Sequence, residues 1–316
     1  YMTVDRIKTV DLEKKSAEKY AATAFEEYAK NKAKKVKCLG GGSFGLAFKV
    51  TAENGESIVV KFMRADNMMK KEVFDLALIG ESCPLDMPKV LFARDKDDKI
   101  PVDCYGMTLV EGKPLLTDLS FYISSKKKRR EIGEKIVDAL HAIHSVKSDK
   151  FGDTMDPDCD SWLDCYRPFA KQVLDKAIEF ESKGELSADI IDTMKRAWQK
   201  FDVIFDEDVK EACLIHGDLN TMNILKDGDK ISFIDPLNSM YADREYDLFQ
   251  FYNLWGGRFF LGETYRKKYG ESKRCDDKLA FYGLWNEVFC VIKAGTLIPF
   301  IMDPLVKNMK KRLENL

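Results

Sequence analysis

The sequence predicts an α+β fold of two lobes, a small β-rich N-terminal lobe and a larger, mainly helical C-terminal lobe. Short strand-like runs separated by glycine-containing turns fill the first third of the chain, and helical periodicity dominates after residue 111. The chain has 316 residues, 45% of them apolar, which is sufficient for two cores. We therefore predict an N-terminal lobe over residues 1–111 and a C-terminal lobe over residues 112–316.

The N-terminal lobe begins with a helix and continues mainly as strands. Apolar side chains recur at helical spacing between residues 11 and 34, at Ala17, Tyr20, Ala24 and Tyr28. Asn54-Gly55 is a typical hairpin turn between two strand-like runs. The predicted elements that follow are strands at 36–39, 46–51, 57–63, 89–94 and 105–110, and a helix at 67–79.

The C-terminal lobe has the longer helical patterns, at 127–145, 165–181, 187–205 and beyond 246. A basic run, 126–130, opens the first of these helices, and acidic residues follow on its later turns. We interpret this run as a solvated helix face and not as a site for nucleic acid or membrane.

Composition excludes several classes of protein. Lysine plus arginine (51) nearly balance aspartate plus glutamate (53), so the net charge of −2 does not favour nucleic acid or an anionic membrane as partner. No run reaches the ~18 apolar residues of a membrane span, and the N-terminus lacks a signal-like apolar core, which predicts a cytoplasmic protein. Eight cysteines without a Cys-x-x-Cys pair predict reduced, packed thiols, with neither a structural zinc site nor a disulfide framework.

A glycine-rich segment follows the first predicted strand. Gly40, Gly42 and Gly45 fit the pattern G-x-G-x-x-G, with Ser43 and Phe44 inside the loop. Such glycines let backbone amides approach phosphates. Because the next residues resemble a strand and not a helix, the pattern favours a kinase-type phosphate loop over a dinucleotide-binding turn. A plain hairpin turn is the alternative.

Lys61 lies inside the apolar strand 58–63, where an unpaired ammonium would be costly. In a kinase, such a lysine binds the α- and β-phosphates and pairs with a carboxylate on the next helix. Glu72 is our candidate for that carboxylate, and Asp75 is the competitor one turn later. A lysine that merely occupies an edge strand is the structural alternative.

A second polar segment, His216-Gly-Asp218-Leu-Asn-Thr-Met-Asn223, lies between two apolar runs. Phosphoryl transfer needs a carboxylate for the attacking hydroxyl and a nearby oxygen ligand for magnesium. Asp218 suits the first role and Asn223 the second. A predicted hairpin leads from there to Asp235, a further magnesium ligand at a strand end. Oxygen ligands without a cysteine or histidine cluster favour Mg²⁺ over zinc.

The pattern His216-x-Asp218-x-x-x-x-Asn223, followed by Ile234-Asp235-Pro236, resembles the signature of the aminoglycoside phosphotransferase and choline kinase superfamily. That superfamily is similar in fold to protein kinases, so the resemblance implies a bilobal protein-kinase-like fold. With the glycine loop and Lys61, the likeness extends over about residues 36–260. It implies an enzyme that uses ATP and Mg²⁺ to phosphorylate a hydroxyl of a small molecule.

The resemblance also implies roles for residues outside the central motif. Thr108, through its carbonyl, and Val110, through its amide, would bind adenine at the hinge, with a register that could slip by one. His216 would pack and hydrogen-bond within the catalytic loop, and Asp247 would brace that loop from below. His141 and His144 would serve helix capping and packing.

Two departures separate this chain from protein kinases. They usually carry arginine where Gly217 stands, and Asp-Phe-Gly where Asp235-Pro236-Leu237 stands. Both differences favour a small-molecule kinase. The remaining classes are a protein kinase and an inactive nucleotide-binding pseudokinase. The pseudokinase is opposed by the presence of four candidate site residues, namely Lys61, Asp218, Asn223 and Asp235.

The acceptor is the least determined part of the prediction. An acidic stretch between helices would suit a cationic amine or amino sugar near Asp218, and a solvated loop is the alternative. Its members are Asp153, Asp156, Asp158, Asp160 and Asp164. The segments 234–248 and 254–257 are also similar to fructosamine kinases, which phosphorylate sugar-modified amines. A fructosamine kinase-like enzyme is therefore the second candidate.

Overall fold

The N-terminal lobe is built on a five-stranded antiparallel sheet in the order β1-β2-β3-β5-β4. The computed structural model describes residues 4–316. The strands are β1 Ala33–Gly41, β2 Gly45–Ala52, β3 Ser57–Met63, β4 Val90–Arg94 and β5 Cys104–Thr108. Each predicted strand of this lobe is present, and the predicted hairpin turn joins β2 to β3.

The two faces of this sheet have different roles because side chains alternate along a strand. Val60 and Phe62 of β3 pack with the helix α1 Lys14–Ala29 in a separate small core. Val59 and Met63 belong to the main core on the opposite face, next to the helix α2 Met69–Ser82. The same alternation directs Lys61 to the face that meets the C-terminal lobe.

The C-terminal lobe is mainly helical. The helix α10 Cys275–Ala294 forms the centre of this lobe. Its Trp285 stacks on Phe281 with ring centroids 3.7 Å apart and donates Nε1–H to the Ala170 carbonyl at 2.9 Å. The helices are α3 Leu119–Tyr122, α4 Lys126–His144, α5 Trp162–Ser182, α6 Ala188–Gln199, α7 Phe201–Ile204, α8 Glu245–Leu248, α9 Leu261–Tyr269, α10 Cys275–Ala294 and α11 Pro299–Leu313.

Two small sheets complete this lobe, in the orders β12-β11-β6 and β7-β10-β13-β8-β9. The predicted hairpin after Asn223 is the β11–β12 pair. The strands are β6 Lys113–Pro114, β7 Lys147–Ser148, β8 Phe151–Asp153, β9 Pro157–Cys159, β10 Ala212–Leu214, β11 Ile224–Asp227, β12 Lys230–Phe233 and β13 Met240–Ala242.

Two sequence predictions for this lobe were wrong. The segment 187–205 is not one helix, because the Lys200 amide bonds to the Ala197 carbonyl three residues back, which ends α6 before α7 begins. The cysteines are not all reduced, since Cys159 and Cys165 form a disulfide with their Cα atoms 5.8 Å apart. The tight turn from β9 into α5 brings these two cysteines together, and sequence spacing alone does not reveal it.

Within residues 4–316, no helix combines the length and the apolar character that crossing a bilayer requires.

Candidate active site

The glycine loop forms the roof of a cleft of about 460 Å³ between the lobes. At Gly45, a Cβ atom would lie 2.8 Å from Cε of Lys61, so a larger residue here would displace the lysine side chain beneath the loop. Gly40 and Gly42 have open space where a side chain would be, which leaves their amides accessible. Ser43 and Phe44 form the tip, which is held by a 2.7 Å bond from the Arg64 amide to the Phe44 carbonyl.

Lys61 lies at the centre of a network of buried polar groups below this loop. Its ammonium pairs closely with Glu72 and lies 3.0 Å from Oδ1 of Asp235. The hydroxyl of Tyr105 donates to Glu72 at 2.7 Å. Burial alone would lower the pKa of Lys61, but the negative charges of Glu72 and Asp235 outweigh it and raise that pKa well above its usual range.

Asp75, the competing partner, does not contact Lys61. It accepts two hydrogen bonds from Lys71, at 2.6 and 2.8 Å, and a close one from Thr154. Lys71 also donates to the Ser239 carbonyl at 2.9 Å. Asp75 therefore joins α2 to the C-terminal lobe, while Glu72 faces the cleft.

The predicted hinge residues line the same cleft. The Thr108 amide donates to the Lys89 carbonyl at 2.9 Å. The hinge groups predicted to bind adenine, the Thr108 carbonyl and the Val110 amide, belong to residues that line the cleft. Apolar side chains from both lobes line the cleft beside them, namely Leu39, Ala47, Val59, Met107, Leu225 and Ile234.

Asp218 lies on the floor of the cleft and is surrounded by side-chain amides. Its Oδ1 accepts from Asn220 at 2.9 Å and from Gln250 at 3.0 Å, and its Oδ2 accepts from Asn223 at 2.9 Å. Burial raises the pKa of Asp218 to about 7; the Asn220 and Asn223 hydrogen bonds oppose this, and the charge of Asp235 adds to it. A carboxyl with such a pKa can hold or release a proton near neutrality.

Sequence reasoning missed Gln250. It is buried in the 3₁₀ turn Phe249–Phe251, directly after α8, and lies three residues beyond Asp247. An amide one helical turn after the bracing aspartate was the only signal in the sequence.

Asp247 fixes the backbone of the loop that carries Asp218. Its two oxygens accept from the amides of His216 and Gly217, both at 2.7 Å, and Oδ2 lies 3.0 Å from Nε2 of His144. His144 in turn bonds to the Tyr265 hydroxyl at 2.6 Å. The two negative oxygens of Asp247 therefore keep the loop in one conformation, and His144 does more than cap a helix.

Gly217 explains the first departure from protein kinases. Its φ of +82° lies in the left-handed region, and a Cβ would lie 2.2 Å from the Leu237 carbonyl. The segment after Asp235 thus passes through the space that a side chain at Gly217 would need. Burial lowers the pKa of the neighbouring His216 to about 4, so its imidazole is neutral.

Asp235 and Asn223 fit a magnesium ion by the chemistry of their donors. The Asp235 side chain is 47% exposed, and its described contact with Lys61 uses only Oδ1. Asn223 donates through Nδ2, both to the side chain and to the backbone carbonyl of Asp218, and its carbonyl oxygen makes no side-chain hydrogen bond within residues 4–316. One carboxylate oxygen and one amide oxygen are thus available, which are ligands that Mg²⁺ prefers.

The acidic stretch of the sequence lies elsewhere. Asp153 pairs with Met240 of β13 in the sheet and lies 3.6 Å from Lys71, behind α2. Asp160 pairs with Lys150 at 3.3 Å on the surface. None of the five aspartates lines the described cleft, so the structure favours the solvated loop.

A family model described as the phosphotransferase enzyme family matches residues 35–282. No curated protein sequence matches the chain significantly.

Several solved structures share the fold over nearly the whole chain. A protein assigned as a fructosamine-3-kinase from Thermobifida fusca has a TM-score of 0.66 at 19% identity, covering 93% of this chain and 98% of its own. A thermostable mutant of aminoglycoside phosphotransferase APH(4)-Ia, in complex with ADP and hygromycin B, has a TM-score of 0.67 at 15% identity, covering 95% and 98%. APH(2")-IIa in complex with gentamicin has a TM-score of 0.64 at 15% identity, covering 96% and 97%.

Proposed function

This chain belongs to the phosphotransferase enzyme family and has its kinase-like bilobal fold, and from that premise we propose a specific reaction. The enzyme transfers the γ-phosphoryl group of ATP to a hydroxyl of a small molecule, with Mg²⁺, in the cytoplasm. The observation that carries this proposal is the buried Asp218 carboxyl, held by three amides in the same cleft as the Lys61–Glu72–Asp235 network.

Nucleotide binding is assigned to the roof and the back of the cleft. The amides of Gly40, Gly42, Ser43, Phe44 and Gly45 would contact the phosphates, and the apolar walls would enclose the base. Lys61 would reach the α- and β-phosphates, with Glu72 holding its ammonium in place. Thr108 and Val110 would bond the adenine. The ADP complex of a structural neighbour supports a nucleotide of this class.

Asn223 and Asp235 would hold Mg²⁺, which neutralises phosphate charge when it is bound. Asp235 has φ +52°, in the left-handed region, and this conformation places its carboxylate beside Lys61. Asn223 and Asp235 would each supply one oxygen ligand. The Lys61 ammonium offsets the negative charge of Asp235.

Asp218 would orient the acceptor hydroxyl and receive its proton. The acceptor oxygen forms a bond to the γ-phosphorus as the bond from that phosphorus to the departing ADP oxygen breaks. Gln250 and Asn220 hold one oxygen of Asp218 and Asn223 holds the other, so the carboxyl cannot rotate away from the hydroxyl.

Two acceptor classes are supported by structural neighbours. Aminoglycoside phosphotransferases bound to hygromycin B and gentamicin favour an amino sugar. The fructosamine-3-kinase likeness, together with the similar segments 234–248 and 254–257, favours a ketosamine as the second candidate.

The test is a phosphorylation assay with ATP and Mg²⁺, read by mass shift, across aminoglycosides, choline, ketosamines and a generic protein substrate. We expect a gain of one phosphoryl group on one small-molecule class, at a rate about 10²–10⁴-fold lower with Asp218→Asn. Phosphorylation of the protein substrate alone would identify a protein kinase. Nucleotide binding without any transfer would identify a pseudokinase, and either result contradicts the proposal.

A further inference from the structure

The side chain of Lys71 connects the helix α2 to the C-terminal lobe. It lies on α2 directly before Glu72, and its ammonium contacts groups from two segments of the other lobe. It donates to the Thr154 hydroxyl at 2.7 Å and to the Ser239 carbonyl at 2.9 Å. It also lies 3.6 Å from a carboxylate oxygen of Asp153. One side chain of α2 is thus held by both the β8–β9 turn and the residue before β13.

Asp75 completes this junction from the same helix. It lies one turn after Lys71, accepts from its ammonium at 2.6 and 2.8 Å, and accepts a close bond from the Thr154 hydroxyl. The three hydrogens of the ammonium therefore have three partners, Asp75, Thr154 and Ser239. The Asp75 side chain is buried, and a buried carboxylate is stable only with such a partner. We refer to Lys71, Asp75, Thr154 and Ser239 as the interlobe clamp.

The interlobe clamp continues to the loop that carries Asp218. The Ser239 hydroxyl donates to the His216 carbonyl at 2.8 Å, while the Ser239 carbonyl accepts from Lys71. Ser239 also follows Asp235 by four positions in the sequence. Hydrogen bonds thus run without a break from α2, through the segment after Asp235, to the loop of Asp218.

The clamp fixes the rotation of α2 about its own axis. Neighbouring residues of a helix point about 100° apart, so Lys71 and Glu72 face different sides of α2. Apolar side chains of α2 also pack in the main core, but such contacts are non-directional. At the rotation that the clamp sets, Glu72 pairs closely with Lys61 and accepts from the Tyr105 hydroxyl at 2.7 Å. A rotation that released Lys71 would turn Glu72 away from Lys61.

We propose that Lys71 is a positioning residue for nucleotide binding. Through the interlobe clamp it holds Glu72, and Glu72 holds the Lys61 ammonium where the phosphates of ATP would bind. Lys71 is not among the residues that line the described cleft, so its effect reaches the nucleotide through Glu72. This inference rests on the proposed phosphotransfer and names a residue on which its nucleotide site depends.

The main test is the affinity of Lys71→Met for Mg-ATP, which calorimetry measures without an acceptor. Methionine keeps the length of the side chain and removes its charge. We expect Kd to rise about tenfold, because the charge-assisted contacts that orient Glu72 are lost. Lys70→Met is the matched control and should leave Kd unchanged. Lys70 is the preceding residue on α2, is exposed, and makes no side-chain hydrogen bond or ion pair within residues 4–316.

A double-mutant cycle tests whether Lys71 acts through Glu72. Glu72→Ala removes the group that the clamp positions, so Lys71→Met should change the Kd of Mg-ATP by less than about twofold in that background. Additive effects, about tenfold in both backgrounds, would show that Lys71 does not act through Glu72. That result overturns the proposal.

Two further variants keep the test valid if Lys71→Met does not fold, since Asp75 would then be buried without its partner. Lys71→Met combined with Asp75→Asn removes both charges, and we expect a folded protein with the same tenfold rise in Kd. Thr154→Val removes one hydroxyl of the clamp at nearly constant volume and should raise Kd about threefold. Circular dichroism melting of each variant reports whether it is folded.

The split between kcat and KM separates positioning from a general disturbance. With an accepted substrate, Lys71→Met should raise KM for ATP and change kcat by less than about threefold, because the three amides still hold Asp218. A native Kd in folded Lys71→Met, or a loss that falls mainly on kcat, overturns the positioning role and leaves the phosphotransferase intact. Native protein that binds Mg-ATP and phosphorylates no acceptor contradicts the proposed function, while the Kd values still decide the role of Lys71.

Discussion

The two sides of the cleft treat charge differently. On the nucleotide side, Lys61 pairs with Glu72 and Asp235, and Tyr105 adds a hydroxyl, so the described groups satisfy one another. On the proposed acceptor side, the Asp218 carboxyl forms no ion pair within residues 4–316 and is held by three side-chain amides. The first side is thus neutralised by its own ion pairs, whereas the second keeps a carboxyl whose charge is opposed by burial.

The Asp218 carboxyl makes the contrast specific, because its pKa is about 7. It reaches this value although three amides donate to it, since burial and the charge of Asp235 outweigh them. The carboxyl is therefore held in position and can exchange a proton near neutrality.

Asp218→Asn should have the largest effect. Removing the proton acceptor should lower kcat by about 10²–10⁴-fold while Mg-ATP affinity changes by less than about twofold. Steady-state kinetics and calorimetric nucleotide binding measure the two quantities. Asp227→Asn, at the exposed end of β11, is the control. A variant with nearly full kcat would remove Asp218 from the reaction.

Lys61→Met tests the paired side. We expect kcat/KM for ATP to fall about 10²-fold. The free energy of unfolding should fall by about 1–3 kcal/mol, because Glu72 loses its buried partner. Urea unfolding measures the second effect.

A double variant, Lys61→Met with Glu72→Leu, should recover stability without recovering activity, since it removes both members of the pair. If Lys61→Met were as stable as the native protein, the buried Lys61–Glu72 pair would not contribute to the free energy of unfolding.

Asp235→Asn should raise the Mg²⁺ concentration for half-maximal activity by about tenfold, because one anionic ligand becomes neutral. Chelation with EDTA should abolish activity of the native enzyme, and added Mg²⁺ should restore it. Activity that survives EDTA would contradict the metal assignment to Asn223 and Asp235.

The pH dependence of kcat tests the raised pKa of Asp218. Since burial raises the Asp218 pKa from 3.8 to about 7, kcat should fall about tenfold between pH 8 and pH 6 as the carboxylate gains a proton. A kcat that stays flat over this range would contradict the role of Asp218 as the proton acceptor.

Stability should change in the opposite direction with pH. The folded Asp218 carboxyl retains a proton that the unfolded chain releases, so its stabilising contribution is complete below about pH 4 and is lost towards pH 7. Asp218→Asn should therefore be the more stable protein at pH 8, by up to roughly 4 kcal/mol. Urea unfolding at pH 4 and pH 8 tests this sign.

The smallest effect is expected from the acidic stretch. Asp156→Asn and Asp160→Asn should each change kcat/KM by less than about twofold, since these side chains are exposed and do not line the described cleft, and exposed ion pairs contribute little. A larger loss with an amine acceptor would show that the acidic stretch faces the substrate.

The choice between Glu72 and Asp75 shows where sequence reasoning ends. Both are acidic residues one turn apart on the same predicted helix, and both are buried in α2. Which one meets Lys61 depends on the rotation of α2 about its axis, and that rotation is set when Lys71 and Asp75 dock on Thr154 and Ser239 of the other lobe. Contacts between residues 79 to 168 positions apart are not visible in local spacing.

By itself, the sequence determined the bilobal α+β fold, the glycine loop, Lys61, and the grouping of Asp218, Asn223 and Asp235. These follow from local periodicity and from chemistry that needs fixed residue types at fixed spacing within one loop or hairpin. Only the tertiary structure decided the Cys159–Cys165 disulfide and the parts played by Gln250 and Tyr105. A tight turn brings the two cysteines together, whereas packing brings Gln250 to Asp218 and Tyr105 to Glu72 from separate segments. The burial that raises the Asp218 pKa likewise exists only in the folded chain.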